Sequence, residues 1–337
     1  MTDLRVLQEA RRQSYRSLRF ERERERRRRR RHRLIAIAGA TLLLAAIALL
    51  VVLDATASGP AAPLQALRAV RRKPASTYAL AFARTRVNPK LSLPLKAGLL
   101  FDVRSGRVLW ERNPTERLPI ASLTKMMTAL LVVTHSKSSD KVLITPQAVH
   151  FTGSGVGLLP RGKRVPLTPL LYGLLLPSGN DAAIALAQHV AGTTAHFIGM
   201  MNTEARRMGL ACTHYSNVSG VVDQNNYSCA VDLAIEAHAL LGHPLLAKIV
   251  GSRSAVLKFP IKGGKLFLYN NNPLYAQNFP GTDGVKTGFT TAAGLCIVAT
   301  ARRGGQWLGV VLLHSGNWGA QAETLLNAGF NALARRG

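Results

Sequence analysis

The chain has 337 residues, 47% of them hydrophobic and 6% aromatic, enough apolar content for one large folded domain or two modest ones with appendages. That content excludes wholesale disorder. Forty-four Lys and Arg stand against 17 Asp and Glu, a formal charge of +27 that raises the question of nucleic acid. The position of the charge decides it.

Residues 1–33 are rich in arginine and end in the run 26–31 followed by His32 and Arg33. Residues 34–53, LIAIAGATLLLAAIALLVVL, carry neither charge nor proline. About 20 residues rising about 1.5 Å each match a hydrocarbon core of about 30 Å, so this segment reads as one transmembrane helix. Arginines packed against one end of a span hold that end in the cytoplasm. The remainder is then expected outside it, and the span accounts for the arginine run without a nucleic-acid partner. Ala55-Thr56-Ala57 before Ser58 has the form of a signal-peptide cleavage site. The long basic region and the length of the apolar stretch favour a retained anchor instead.

Ala, Pro, Ser and Arg dominate from Asp54 to about Pro94 without sustained periodicity. Residues 54–82 read as a linker and residues 83–337 as the folded domain. It opens with a hairpin signal over 97–113, two apolar runs joined through Ser105-Gly106. Helical patterns follow over 122–134, 168–176, 181–190, 194–208 and 230–241. Strand patterns return around 256–269, 294–301 and 307–314, and 324–335 reads as a closing helix. Strands at both ends with helices between them predict an α+β domain, an antiparallel β-sheet flanked by helices.

Three cysteines, Cys212, Cys229 and Cys296, cannot all pair within the chain, and none forms a C-x-x-C spacing. Cys296 lies in an apolar run and reads as a buried thiol. A Cys212–Cys229 disulfide is compatible with an exported domain, although their separation alone does not select it. His135, His150, His189, His196, His214, His238, His243 and His314 show no close metal-ligand spacing. No phosphate-binding loop or dinucleotide fingerprint occurs, so no metal or cofactor is expected.

Three constellations carry chemistry. In Ile120-Ala121-Ser122-Leu123-Thr124-Lys125, Ser122 and Lys125 are three apart and share a helix face. A hydroxyl needs a neighbouring base to become a nucleophile, and lysine serves when burial or nearby charge lowers its pKa. Pro177-Ser178-Gly179-Asn180-Asp181 is a turn with a helix cap, but it also offers a hydroxyl and an amide to a cleft. Lys286-Thr287-Gly288-Phe289 precedes an apolar strand, where a cation, a hydroxyl and room for close backbone approach suit an extended peptide ending in a carboxylate.

Each motif alone is common. Ser-x-x-Lys, Ser-x-Asn and Lys-Thr-Gly in that order are the signature of penicillin-binding proteins and class A β-lactamases. Residues from about 83 to 330 resemble the D-alanyl-D-alanine carboxypeptidase family of low-molecular-mass penicillin-binding proteins. The likeness includes GRVLWERNPTERLPIASLTKMMTALL, MGLACTHYSNVSGVVDQNNYSCAVDLAIEA and GTDGVKTGFTTAAGLCIVATA.

The resemblance implies a β-lactamase-like transpeptidase fold on a bacterial membrane, with the domain facing the periplasm or wall. It implies that Ser122 is acylated, Lys125 is the base, and Ser178 and Asn180 complete the proton network. Lys286 and Thr287 would hold the substrate carboxylate beside Gly288, with the backbone N–H groups of Ser122 and Phe289 as oxyanion hole. The expected activity is removal of the terminal D-Ala from peptidoglycan pentapeptides, with β-lactam antibiotics as covalent inhibitors. An endopeptidase of peptidoglycan cross-links, a β-lactamase and a non-catalytic wall-binding module are the alternatives. Many relatives continue into a second β-rich domain and a C-terminal anchor, which the N-terminal span is expected to replace here. Several relatives also carry an arginine before the last helix, where this chain reads His314-Ser315-Gly316-Asn317-Trp318-Gly319-Ala320.

Overall fold

The computed structural model describes residues 78–82, 87–157, 159–222 and 224–335. The expected membrane span at 34–53 lies outside them. Among the described residues, no single helix is long and apolar enough to cross a membrane.

The strands are β1 (Ala81–Phe82), β2 (Leu95–Asp102), β3 (Arg107–Arg112), β4 (Leu118–Pro119), β5 (Lys141–Leu143) and β6 (Arg164–Pro166), then β7 (Tyr227–Ser228), β8 (Ser254–Lys258) and β9 (Lys265–Tyr269), and finally β10 (Thr282–Thr290), β11 (Gly294–Arg303) and β12 (Gln306–Ser315). The helices are α1 (Lys125–His135), α2 (Pro146–Val149), α3 (Leu167–Leu175), α4 (Asn180–Ala191) and α5 (Thr194–Arg207), followed by α6 (Ala230–Leu241), α7 (Pro244–Val250), α8 (Pro273–Ala276) and α9 (Trp318–Ala334). A six-stranded sheet runs in the order β1-β3-β2-β12-β11-β10, antiparallel except where β1 joins β3. The antiparallel sheet flanked by helices is the α+β arrangement expected from the sequence.

The period of two along the strands divides the apolar residues between the faces. Leu99, Phe101, Val298, Val311 and Leu313 enter the larger core with α1, α3, α4 and α6. Their neighbours Leu100, Ile297, Val310 and Leu312 face the other way, onto Leu325, Leu326 and Phe330 of α9. The first hairpin turns where Asp102 Oδ1 accepts hydrogen bonds from Arg104 N, Ser105 N and Ser105 Oγ at 3.1, 2.8 and 2.8 Å. Gly106 completes it at φ 71°. The side chain of Asp102 thus does the turn chemistry that the Ser-Gly pair had suggested.

Several boundaries differ from expectation. The pattern at 256–269 is two strands, β8 and β9, which pair with each other. The closing helix begins at Trp318 instead of 324, because Asn317 caps it by accepting from Ala320 N at 3.1 Å. Part of the expected linker is attached to the domain. Ala81 and Phe82 pair with Arg107 and Val108, and the Tyr78 ring stacks on His238 at 3.6 Å. The domain edge therefore lies upstream of residue 83.

Leu100 is fully buried on the α9 face. Leu100→Ala should destabilise the domain by about 2–5 kcal/mol, read as a lower denaturation midpoint with unchanged slope. A midpoint equal to that of the parent chain would contradict this packing.

Candidate active site

Ser122 does not start an α-helix as its spacing with Lys125 suggested. It lies in a 3-10 turn, Ala121–Thr124, and Lys125 is the first residue of α1. The tighter turn keeps the two side chains on one side. Ala121, Leu123 and Thr124 are buried, which leaves Ser122 as the accessible member of the turn. Ala121 adopts φ 48°, a left-handed conformation at a non-glycine residue directly before the hydroxyl.

Lys125 has no exposed surface. Its Nζ donates to Ser122 Oγ at 2.9 Å, Asn180 Oδ1 at 2.7 Å and the Ser219 carbonyl at 2.6 Å. Burial holds its pKa well below the ordinary lysine range, the charge of Lys286 lowers it further, and Asp181 opposes both. An amine so placed can accept the Ser122 proton across one hydrogen bond.

The second motif follows α3. Ser178 adopts φ 69°, and its buried Oγ has no partner among the described residues. Asn180 is the first residue of α4 and donates through Nδ2 to Thr152 O at 2.5 Å. Its own N–H donates to Ser154 O at 2.8 Å. Asp181 accepts from Val156 N, Gly157 N and Ala182 N, at 2.9, 2.9 and 2.8 Å. Both of its oxygens are committed to holding that loop beside the site.

The third motif lies within β10, the edge strand of the sheet. Lys286 is almost fully buried, and burial pushes its ammonium down to about 7. Its Nζ donates to Thr287 O at 2.8 Å. A Cβ added to Gly288 would fall 2.8 Å from Ser122 N, so the strand passes against the nucleophile turn where a side chain has no room. Phe289, 63% exposed, follows at the open end of the motif.

The structure thus brings Ser122, Lys125 and Asn180 into direct contact, with Gly288 against the same turn. Residues 314–320 supply no arginine; there Ser315 and Asn317 bond to the start of α9 instead.

Several contributors carry little sequence signal. Ser219 acts through its carbonyl, which every residue possesses. Asn217 Oδ1 shapes that turn by accepting from Ser219 N and Gly220 N at 3.2 and 2.5 Å. Gly220 is required there, since a Cβ would lie 1.8 Å from Ala121 O and φ is +79°. Thr128 Oγ1 donates to Val218 O at 2.8 Å, and Asn226 Nδ2 to Thr124 Oγ1 at 2.8 Å.

Cys212 and Cys229 form a disulfide with Cα atoms 5.7 Å apart, and Cys296 is a buried cysteine whose Sγ donates to Ala293 O at 3.5 Å. Cys212, Cys229 and Asp232 lie close enough together to hold a metal. The sulfurs are bonded to each other, and Asp232 Oδ2 accepts from Cys212 N and Thr213 Oγ1, both at 2.7 Å. Those donor atoms are engaged within the protein.

A sequence profile described as D-alanyl-D-alanine carboxypeptidase, peptidase S11, matches residues 84–317. The D-alanyl-D-alanine carboxypeptidase DacF of Bacillus subtilis is 36% identical over 220 residues, 64% of this chain and 56% of that protein. The D-alanyl-D-alanine carboxypeptidase DacB2 of Mycobacterium tuberculosis is 32% identical over 257 residues, 72% of this chain and 87% of that one. The chain spans just over half the length of several curated relatives, between 52% and 60%. The solved Streptomyces K15 DD-transpeptidase superposes with a TM-score of 0.68 at 30% identity, covering 72% of this chain and all of that one. With the three motifs assembled around one serine, the chain belongs to the D-alanyl-D-alanine carboxypeptidase family, peptidase S11.

Proposed function

We propose that this chain is a serine-type D-Ala-D-Ala carboxypeptidase that removes the terminal D-Ala of peptidoglycan pentapeptides through an acyl-Ser122 intermediate. The observation that carries this is the buried Lys125 amine, in contact with Ser122 Oγ and Asn180 Oδ1 together. Neutral Lys125 takes the proton from Ser122 as Oγ attacks the carbonyl carbon of the penultimate D-Ala. The oxyanion forms against the N–H groups of Ser122 and Phe289, donors of a kind worth about 3–4 kcal/mol each to the barrier. Ser178 relays a proton to the departing amine, and D-Ala leaves. Water then hydrolyses the ester and restores Ser122. Lys286 and Thr287 bind the terminal carboxylate, and β10 lines up the peptide backbone.

A β-lactam enters the same first step, but its amine stays tethered to the acyl group. Asp181, the acid beside Asn180, has both oxygens bound to the 156–157 loop or its own helix start and is not available to activate water. The penicilloyl adduct is therefore expected to persist. Localisation belongs to the same proposal: the span at 34–53 anchors the chain in a bacterial membrane with the domain outside, supported by the adjoining arginine run.

Incubating the full chain with a D-Ala-D-Ala pentapeptide should release D-Ala, and Ser122→Ala should release none. Release that survives the substitution would sink the assignment. Digestion of cross-linked muropeptides separates endopeptidase from carboxypeptidase action.

The pH dependence follows from the two lysines. Catalysis needs Lys125 neutral, so activity rises as pH climbs through a value well below the usual lysine range. Carboxylate capture needs Lys286 charged, so kcat/KM falls as pH passes about 7 in the free enzyme. Arginine stays protonated beyond this range, so Lys286→Arg should abolish the falling limb while lowering the maximum. An unchanged falling limb in that variant would assign it to another group.

A further inference from the structure

The loop that supplies the Ser219 carbonyl to Lys125 is closed at its base by a disulfide. Cys212 and Cys229 are 17 residues apart, and little regular structure lies between them. Near the base, His214 and Tyr227 exchange backbone hydrogen bonds at 2.9 and 3.0 Å, and Tyr227–Ser228 pairs with Leu118–Pro119 just ahead of the nucleophile turn. Cys229 is the residue before α6, and Cys212 N donates to Asp232 of that helix. Tyr215 OH donates to Glu236, one turn further along, at 2.8 Å. The base is thereby fixed to α6.

Between Val218 and Asn226 the same loop touches the catalytic turn and α1 at several points. Ser219 O accepts from Lys125, Val218 O accepts from Thr128, Asn226 donates to Thr124, and Gly220 packs against the Ala121 carbonyl. Tyr215 and Val218 are buried in the core, and Asn202 of α5 bonds the Tyr215 backbone at 2.8 and 2.9 Å, while the contacts with the catalytic turn and α1 are mainly hydrogen bonds. Hydrogen bonds depend on position more sharply than apolar burial does, and opening the cross-link returns conformational freedom to the stretch that makes them.

We propose that the Cys212–Cys229 disulfide is a positioning element of the acylating centre, holding the Ser219 carbonyl on Lys125 and so keeping the amine dry and aimed at Ser122. The proposal rests on Lys125 acting as base for Ser122. Breaking the bond frees the loop, admits water to Lys125 and loosens its geometry while leaving the hydroxyl in place. The charged groups that act on this amine are Lys286 from β10 and Asp181 from α4, neither of them carried by the loop. Cys212 is only half-buried, so a reductant can reach the bond. Reduction takes two electrons from an added dithiol, which becomes oxidised as both cysteines return to thiols.

The test compares the full chain in detergent with Cys212→Ser/Cys229→Ser, and with Cys212→Ala/Cys229→Val as a second variant that fills the sulfur space with apolar atoms. Labelling by a fluorescent penicillin is followed across pH, below the melting temperature of each protein, with circular dichroism to confirm the fold. Thiol counting should find one reactive group in the unfolded parent chain, Cys296. Acylation should fall by about 10- to 100-fold in the folded variants. Its rising pH limb should move to higher pH, because burial is the main influence lowering the Lys125 pKa and hydration relieves it. Simple loss of stability would not move that limb. A dithiol should produce the same change in the parent chain, and reoxidation should reverse it.

Parental rate and pH limb in a folded variant, or in the reduced parent, would overturn the proposal, as would three free thiols in the parent. If neither variant folds, the reduced parent decides. Ser122→Ala separates this from failure of the underlying assignment: labelling of that variant, or no labelling of the oxidised parent, would remove the acyl-serine reading itself.

Discussion

An amine with no exposure to solvent must either give up its charge or find enough oxygen to keep it, and Lys125 is held between these outcomes. Three oxygens surround its Nζ, each from a different part of the chain: a hydroxyl from the preceding turn, an amide from the start of α4 and a carbonyl from the disulfide-closed loop. Water would supply the same number of contacts without regard to position. The protein substitutes fixed partners, and the lost hydration lowers the pKa. The interaction places strict demands on its surroundings, since displacement of any one group leaves a buried polar atom unmatched.

The fold meets these demands from several directions. The sheet supplies β10 as an edge strand whose Gly288 can lie against Ser122 N, and Val285, next to Lys286, is anchored in the core. Packing of α1, α3 and α4 fixes the angle between the nucleophile turn and the Ser178 loop. Asp181 then spends its carboxylate on the 156–157 backbone, which in turn supports the segment that bonds to Asn180. Local conformation departs from its easy range at Ala121, directly before Ser122, and at Ser178 itself, both at positive φ. Such positions persist because the surrounding packing over-determines them.

What the sequence made legible was the chemistry that resides in side chains and the elements with clear periodicity. Ser122, Lys125 and Asn180 were nominated by spacing, and the alternation in β2, β11 and β12 marked a sheet with two apolar faces. The helix boundary at Ser122 was not legible, because Ser-x-x-Lys spacing is satisfied by a 3-10 turn as well as by an α-helix. Ser219 was hidden for a different reason: its contribution is a backbone carbonyl, and only its neighbours Asn217 and Gly220 hint at a shaped turn. The attachment of Tyr78 and β1 was obscured by a composition that reads as linker. Two residues of parallel pairing and one ring stack have no periodic signature. Cysteine spacing alone left the disulfide open until the Cα atoms were seen 5.7 Å apart.

The complete burial of Lys125 also governs where a proton can go. A solvent-facing base would exchange its new proton with buffer at once, and the leaving group would then draw on whatever acid lay nearby. Among the described residues the amine bonds to Ser122, Asn180 and the Ser219 carbonyl. The carbonyl and the amide oxygen can accept a hydrogen bond but have no proton to give up in exchange, and in the proposed reaction Ser122 Oγ is bound to the acyl carbon, so the proton has to pass through the Ser178 relay. In the proposed reaction the proton removed at the first step would therefore stay in the site as a stored equivalent, available when the amine departs and replaced by the water that ends the cycle.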